Sequence, residues 1–378
     1  MLLLVVAGRA VCEEGRQGID GLGDEAVSIV GWTASGELPS QVASTCLYDS
    51  YGWLRAWESV GIESRLRHTY VTAGVPGGVG PAVLPLYLVE HSPFWHGYEL
   101  QSGLARLADE PLAFAGSTYF MYSRRGEVPS ALAEGVHATA MEWIAAGEAG
   151  LLVIPNLTDE GVASWVAAVG EPTGRVLLDR TYWCDLDTSL ASYLTTRLPH
   201  KLRNDVRRRL RRSHERGLLV EVLPAAAAHA LVPAAVPLTV GTTDEHDWPA
   251  LYDESALHGL LRVPGAVLAT ARAGGELIGA FFGFQHGQEI TFLCGGVNYA
   301  TLPEFSTYVA LMYRCLEWAC DRGFKRIEWG RSNHRFKERH GLSGTDLWAL
   351  VYAPGHRPGL TEALTRIRET MCADIRQG

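Results

Sequence analysis

Residues 266–295 read AVLATARAGGELIGAFFGFQHGQEITFLCG, three apolar runs separated by two short turns. The runs cover 266–272, 277–285 and 290–295, and each is long enough for one strand. The turns contain Gly274, Gly275 and Gly287, which tolerate the left-handed backbone that tight reversals need. Because the connections are too short for crossovers, the stretch predicts an antiparallel meander.

The segments around this meander complete an α+β pattern. A helix is predicted over 306–322, with Gly323 just beyond its end, and a strand over 325–329. Upstream, the sequence predicts a basic helix at 199–216, a strand at 218–223 and two helical stretches within 226–260. The second half of the chain is therefore a complete helix-and-sheet unit.

The first half shows a similar mixture of elements, and it is predicted to form a lobe of its own. Strand-like runs lie near 27–32, 67–72, 82–89, 151–155 and 176–185, and helical patterns near 51–59, 130–146 and 157–169. A chain of 378 residues exceeds the usual size of one hydrophobic core. We therefore predict two lobes, 1–185 and 186–378.

Three motifs resemble those of Fem-type aminoacyl transferases and their acetyltransferase-like (GNAT) relatives. They are LPHKLRNDVRRRLRR at 198–212, GGELIGA at 274–280 and the glycine-led loop GRSNHRFKERHG at 330–341. The resemblance extends over roughly residues 180–355. It implies an α+β fold of two tandem GNAT-like lobes, each a mixed, largely antiparallel sheet flanked by helices. It also implies amide-bond formation with aminoacyl-tRNA as the donor and a peptidoglycan precursor, peptide or small molecule as the acceptor.

The basic helix carries an unusual concentration of charge. Residues 197–216 hold nine Lys/Arg and two acids, a local net charge of +7, while the whole chain has a net charge of −9. Leucine and valine recur every four residues along it and predict one buried face. The other face is expected to bind phosphates of the donor, with direct contacts from Lys201, Arg203, Arg207, Arg208 and Arg211.

An acyl-CoA donor fits the sequence less well. GNAT enzymes that use it bind the pyrophosphate on backbone amides of a glycine-rich loop before the central helix. Here the corresponding residues, 297–306, read VNYATLPEFS and contain no glycine. The absence favours aminoacyl-tRNA as the co-substrate, with no cofactor, and leaves acyl-CoA as the alternative donor.

Catalytic candidates come mainly from the motif at 330–341. Lys337 matches the lysine of the family's loop and is expected to lie near the reacting carbonyl, while Arg331, Asn333 and Arg335 are candidates for binding phosphate. Tyr308, Glu304 and Glu328 are weaker candidates for proton transfer or leaving-group contact.

The acceptor pocket is expected between the lobes, with aromatic residues Trp53, Trp57, Trp95 and Tyr299 as candidate contacts. Seven cysteines without a CxxC pair favour buried thiols, and no histidine spacing predicts a metal site. The apolar run 2–7 is read as an early strand or as the product of an upstream start codon. It is too short for a signal peptide or a membrane span, so a cytoplasmic location is expected.

Two other functions remain open. The chain is alternatively an acyl-CoA-dependent N-acyltransferase with an unusual pyrophosphate site. A third hypothesis is a non-catalytic nucleic-acid binder built on a GNAT core, which the acidic net charge of −9 disfavours.

Overall fold

The computed structural model describes residues 31–355 and 357–377. Twelve strands in these ranges form one sheet, in the order β1-β2-β3-β4-β5-β12-β6-β11-β10-β9-β8-β7. The strands of the first half are β1 (Trp32–Ser35), β2 (Ser64–Ala73), β3 (Ala82–His91), β4 (Leu112–Ala115), β5 (Leu151–Leu157) and β6 (Gly174–Asp185). Those of the second half are β7 (Leu219–Pro224), β8 (Ala266–Ala273), β9 (Glu276–His286), β10 (Glu289–Val297), β11 (Arg326–Glu328) and β12 (Ser343–Tyr352).

Helices flank the sheet on both faces. In the first half they are α1 (Tyr51–Trp57), α2 (Pro93–Gln101), α3 (Ser130–Ala145) and α4 (Asp159–Val169). In the second half they are α5 (Leu190–Arg197), α6 (His200–Glu215), α7 (Ala225–Ala228), α8 (Val232–Glu245), α9 (Glu254–Leu260), α10 (Leu302–Phe305), α11 (Thr307–Asp321), α12 (His334–Arg339) and α13 (Leu360–Gln377). The run at 2–7 and most of the predicted strand at 27–32 lie outside the described residues.

The meander is confirmed, with β8, β9 and β10 pairing antiparallel in sequence order. The sequence did not predict α2, β4, α5, α10, α12, β12 or α13. The strand β4 has only four residues, too few for alternation to be recognised.

Each half contains one pair of parallel strands, β4 with β5 and β10 with β11. In each case, the next strand in space, hydrogen-bonded to the second member of the pair, comes from the other half. The strand β12 lies beside β5, and β6 lies beside β11, both antiparallel. The two halves therefore exchange strands and share one continuous sheet.

The core is shared in the same way. One buried cluster contains aromatic residues of the first half, including Trp53 and Phe120, together with Phe282 and Phe284 of β9. Trp53 meets Phe284 edge to face, with the ring centroids 5.2 Å apart. Packing as well as hydrogen bonding therefore fixes one half against the other.

The segment Ala225–Glu245 is long and apolar enough, by length and composition, to cross a membrane. Within the fold it comprises α7, a 3-10 turn at His229–Leu231 and α8, and its residues Val232 and Ala235 are buried. The helix α8 packs against β10 so closely that an added Cβ at Gly296 would lie 1.9 Å from the carbonyl oxygen of Leu238. We assign this segment to the folded unit.

Candidate functional site

A cavity of about 250 Å³ opens where the parallel strands β10 and β11 separate. The two strands pair only from Glu289 to Thr291 and from Arg326 to Glu328, and a bulge follows in β10 between Phe292 and Cys294. Beyond that point the chains diverge and leave a gap between them. First-half residues Phe94, Tyr119, Met121, Leu178 and Asp179 line the gap together with residues of β10, α8, α11 and the 329–337 segment.

Lys337 lies in this wall and is almost completely buried. Its Nζ donates hydrogen bonds to the carbonyl oxygens of Trp329 (2.8 Å), Gly330 (3.1 Å) and Arg331 (2.5 Å). Burial lowers the pKa of Lys337 to about 7, although the negative charges of Asp179 and Glu328 oppose that change. The side chain therefore holds the end of β11 in shape and carries an amine that titrates near neutral pH.

Arg331 connects this segment to the first half of the chain. Its Nη1 donates to the hydroxyl of Tyr98 and the carbonyl oxygen of Thr118, both at 3.2 Å, and its Nη2 donates to the carbonyl oxygen of Phe120 at 2.5 Å. The guanidinium also lies 4.9 Å from the ring centroid of Phe94. Arg331 was predicted to bind phosphate, but these contacts direct it toward the neighbouring backbone.

The loop before α12 is conformationally strained. Ser332 and Asn333 both have positive φ angles, 63° and 51°, which non-glycine residues adopt rarely. Both residues line the cavity, and so does Tyr308. Strain of this kind is concentrated at functional sites because the surrounding structure has to maintain it.

Two more predicted residues line the cavity, Tyr308 and Tyr299. Tyr308 lies in the first turn of α11 and packs edge to face against Phe336, with centroids 5.1 Å apart. Burial raises the pKa of Tyr308 above its usual value, so its hydroxyl stays protonated at neutral pH.

The two glutamates predicted as catalytic do not line the cavity. Glu304 is exposed on α10, where its backbone carbonyl accepts from Arg216. Glu328 is buried, and it accepts hydrogen bonds from Tyr122 (2.6 Å) and Thr181 (3.0 Å). Burial raises the pKa of Glu328, and we assign it to the internal contact between the two halves.

The predicted tryptophan contacts also need correction. Trp53, Trp57 and Trp95 are at most 2% exposed and belong to the core, not to the cavity wall. Aromatic composition alone does not distinguish a core ring from a pocket ring. The cavity wall instead uses Trp248 and Trp329, with Tyr252 from the segment after α8.

Sequence reasoning missed the acidic residues of the cavity. Asp179, from the middle of β6, and Asp374, from α13, both line it. Buried His334 lies between them, with its Nε2 3.8 Å from Asp179 and 3.9 Å from Asp374. Asp179 is one residue within a strand-like run, and α13 lies beyond every motif, so neither position gave a signal. The described ranges contain no group of three or more His, Cys, Asp or Glu side chains suited to a metal ion.

The basic helix is confirmed as α6, but none of its residues lines the cavity. Leu202, Val206 and Ser213 are buried, and the Ser213 hydroxyl donates to the carbonyl oxygen of Phe305 in α10 at 2.5 Å. Arg209 and Arg339 both lie close enough to His340 to lower its pKa. One side of α6 therefore faces α10 and the end of α12, and α12 contributes Lys337 to the cavity wall.

The predicted phosphate contacts divide between the two sides of this helix. Arg203 donates to the Thr195 carbonyl of α5 at 3.5 Å, and helical periodicity places Arg207 and Arg211 in the same row. The same periodicity places Lys201 and Arg208 outside this row, nearer to Arg212, and both are exposed. Arg335 is exposed on α12 itself, and its Nη2 donates to the backbone carbonyl of Arg376 at 3.3 Å.

A pyrophosphate loop would fall at residues 297–306, where Val297 ends β10 and residues 298–306 follow it. They form a turn and the short helix α10, and their amides bond within the segment. The N–H groups of Glu304 and Phe305 donate to the carbonyl of Thr301, and that of Ser306 to the carbonyl of Leu302. These three amides are therefore unavailable to a pyrophosphate.

Residues 200–338 match the family model described as "Acetyltransferase (GNAT) domain". No curated protein sequence matches the chain. A crystal structure of FemX aligns over 83% of this chain and 94% of its own, with 12% identity and a TM-score of 0.53. A conserved protein of unknown function from Bacteroides thetaiotaomicron aligns over 82% and 93%, with 11% identity and a TM-score of 0.52.

A tandem GNAT protein from the clavulanic acid biosynthesis pathway aligns over 84% of this chain and 91% of its own, with 13% identity and a TM-score of 0.47. At 11–13% sequence identity, a structural similarity is evidence for the fold alone. The chain carries a GNAT-type acyltransferase domain at residues 200–338, within the α+β fold that the sequence predicted.

Proposed function

We propose that the protein transfers an aminoacyl group from aminoacyl-tRNA to the amine of an acceptor bound in the cavity. The observation that carries this proposal is the segment 298–306, where a glycine-free helical turn already uses the amides of Glu304, Phe305 and Ser306. An acyl-CoA donor lacks its usual pyrophosphate site there. The donor is therefore one that does not need that loop.

The charge on α6 supports a polyanionic donor. Lys201, Arg207 and Arg212 are exposed and have no ion-pair partner within the part of the chain that the structure describes. Arg209, Arg212 and Arg216 lie on the side of α6 that faces α10 and α12. A tRNA acceptor stem bound along this side would place its terminal ester near the cavity mouth.

The reaction itself needs few groups from the protein. The acceptor amine attacks the ester carbonyl, the new C–N bond forms, and the C–O bond to the terminal ribose breaks. The proton that the amine loses ends on the released ribose hydroxyl. Lys337 and Tyr308 are the proposed catalytic groups because both lie in the cavity wall.

The first test measures binding of the purified protein to bulk aminoacyl-tRNA and to acetyl-CoA at two salt concentrations. Salt-sensitive tRNA binding without CoA binding supports the proposal. Tight CoA binding without tRNA binding supports the acyl-CoA-dependent alternative. Transfer of labelled amino acid to an added amine, abolished by RNase, then separates an enzyme from a non-catalytic tRNA binder.

A matched pair of variants locates the donor surface. Arg209→Gln/Arg212→Gln and Arg207→Gln/Arg211→Gln each remove two charges from the same helix, on opposite sides of it. The proposed geometry expects the first pair to weaken tRNA binding the more. A stronger effect of the second pair would place the donor on the row Arg203, Arg207 and Arg211 that the sequence predicted.

A cytoplasmic location and the absence of a bound cofactor or metal are part of the same proposal. They follow from a donor that is present in the cytoplasm and already activated.

A further inference from the structure

Asp179 presents an unpartnered carboxylate oxygen to the cavity. It lies in β6, and its Oδ1 accepts a hydrogen bond from the backbone N–H of Arg180 at 2.6 Å. No described residue donates a hydrogen bond to its Oδ2. The side chain is only 17% exposed, so bulk water solvates it poorly. A mostly buried carboxylate oxygen that accepts no hydrogen bond is costly, and a bound ligand is one way to offset that cost.

The nearby cations favour the charged form of Asp179 electrostatically, but none of them donates a hydrogen bond to it. Arg331 is directed at Tyr98, Thr118 and Phe120. Lys337 donates to three backbone carbonyls. The Nε2 of His334 is 3.8 Å from Oδ1, beyond hydrogen-bonding distance.

The rest of the wall combines polar residues, among them Thr239, Thr242 and Thr243, with a large aromatic portion. It includes Phe94, Tyr119, Trp248, Tyr252, Phe281 and Trp329. Aromatic faces attract cations, and Asp374 adds a second negative charge. A volume of about 250 Å³ admits a small molecule and excludes complete burial of a large peptidoglycan precursor.

We propose that this cavity selects a small organic cation, an ammonium on an apolar or aromatic body, and that Asp179 binds the ammonium. The inference rests on the proposed function in taking the cavity as the acceptor subsite. It deepens that function by giving the acceptor a size, a charge and a specificity-determining residue. Because an ammonium has no lone pair, the bound acceptor gives one proton to the Asp179 carboxylate before its amine attacks the ester, and Asp179 afterwards releases that proton to solvent.

The test uses three probes that share an indole body, tryptamine (cation), tryptophol (neutral) and indole-3-acetate (anion). Their affinities for the full chain are measured by calorimetry near pH 7, without tRNA or acyl-CoA, so failure here is separate from failure of the donor assignment. Asp179→Asn removes the charge at constant shape. Asp185→Asn, at the exposed end of the same strand, is the matched control.

We expect tryptamine to bind most tightly, and Asp179→Asn to weaken it roughly tenfold while tryptophol is unaffected. Asp185→Asn should change neither. Equal binding of all three probes, no binding of tryptamine, or a preference for indole-3-acetate in the unmodified protein would overturn the proposal even if Asp179→Asn fails to fold. An anion preference would assign recognition to Arg331 instead.

Discussion

Arg331 of the second half and Thr118 of the first are joined directly, through a hydrogen bond of 3.2 Å from guanidinium to backbone carbonyl. The same guanidinium bonds Phe120, so one side chain fixes two points of the opposite wall of the cavity. Lysine retains the positive charge, but its ammonium cannot reproduce the forked pair of N–H groups that reaches both carbonyls. We expect Arg331→Lys to weaken transfer at least tenfold and to destabilise the fold by about 1–3 kcal/mol.

Steady-state rates and urea unfolding of Arg331→Lys check this expectation. Arg335→Lys, in the same loop motif but exposed on α12, is the control. Wild-type rates in Arg331→Lys would show that the cavity keeps its shape without the paired hydrogen bonds of the guanidinium.

Lys337 should make stability depend on pH in the alkaline range. Its pKa falls from 10.5 to about 7 on folding, so the unfolded chain binds more protons than the folded one between these values. This group therefore adds stability as pH rises from about 7 toward 10.5, and destabilises most below 7. Lys337→Met removes that dependence but leaves three carbonyls without their donor.

The measurement compares the unfolding free energies of the two proteins at pH 7.5 and 9.5. We expect the gain with pH to be smaller in Lys337→Met. An identical pH dependence would mean that Lys337 keeps an ordinary pKa in the fold.

His340 should make the stability of the fold depend on pH in the acid range. Burial lowers its pKa from 6.5 to about 4, and Arg339 and Arg209 add to the effect. Its Nδ1 lies 2.6 Å from the hydroxyl of Tyr313. Because the folded-state pKa is depressed, the unfolded chain takes up a proton first as pH falls. Stability is then lost between about 6.5 and 4, by up to roughly 3 kcal/mol.

His340→Gln retains a polar group that does not titrate, and it should flatten the loss of stability between pH 6.5 and 4. Denaturant unfolding at several pH values measures it. A loss as steep as that of the unmodified protein would assign the acid sensitivity to other groups, such as the buried carboxylates.

Gly97 limits the position of Trp248 in the cavity wall. A Cβ added at Gly97 would lie 2.3 Å from the Trp248 ring, whose atoms cannot bend away individually. We expect Gly97→Ala to displace Trp248 and to weaken tryptamine binding severalfold. Gly241→Ala on α8 is the control, because nothing lies within 4 Å of its added Cβ. That control should gain about 0.5–1 kcal/mol from helix propensity alone.

Calorimetry with both glycine variants distinguishes these effects. If Gly97→Ala bound tryptamine normally, Trp248 would have no part in shaping the cavity.

The regular elements were predictable because their signals are local. The apolar runs and the turns of the meander lie within 30 residues, and the amphipathic pattern of α6 identifies its buried face. The pattern does not reveal what lies beside that helix, so it gave no reason to separate Arg209 from Arg207. Asp179 was missed for a similar reason. Only the approach of β6 to β11 and α13 turns an ordinary strand residue into part of a cavity.

The exchange of β6 and β12 has a consequence for how the gene can be divided. A fragment ending at residue 185 would lack β12 and would keep β6, whose neighbours β11 and β12 both belong to the other half. The complementary fragment would lack β6. Each piece would expose an unpaired sheet edge, the kind of surface that associates with other chains. Such fragments, produced separately, should be insoluble alone and recover their structure when co-expressed. Recovery of folded protein would then show that the two fragments had met and paired their exposed strands.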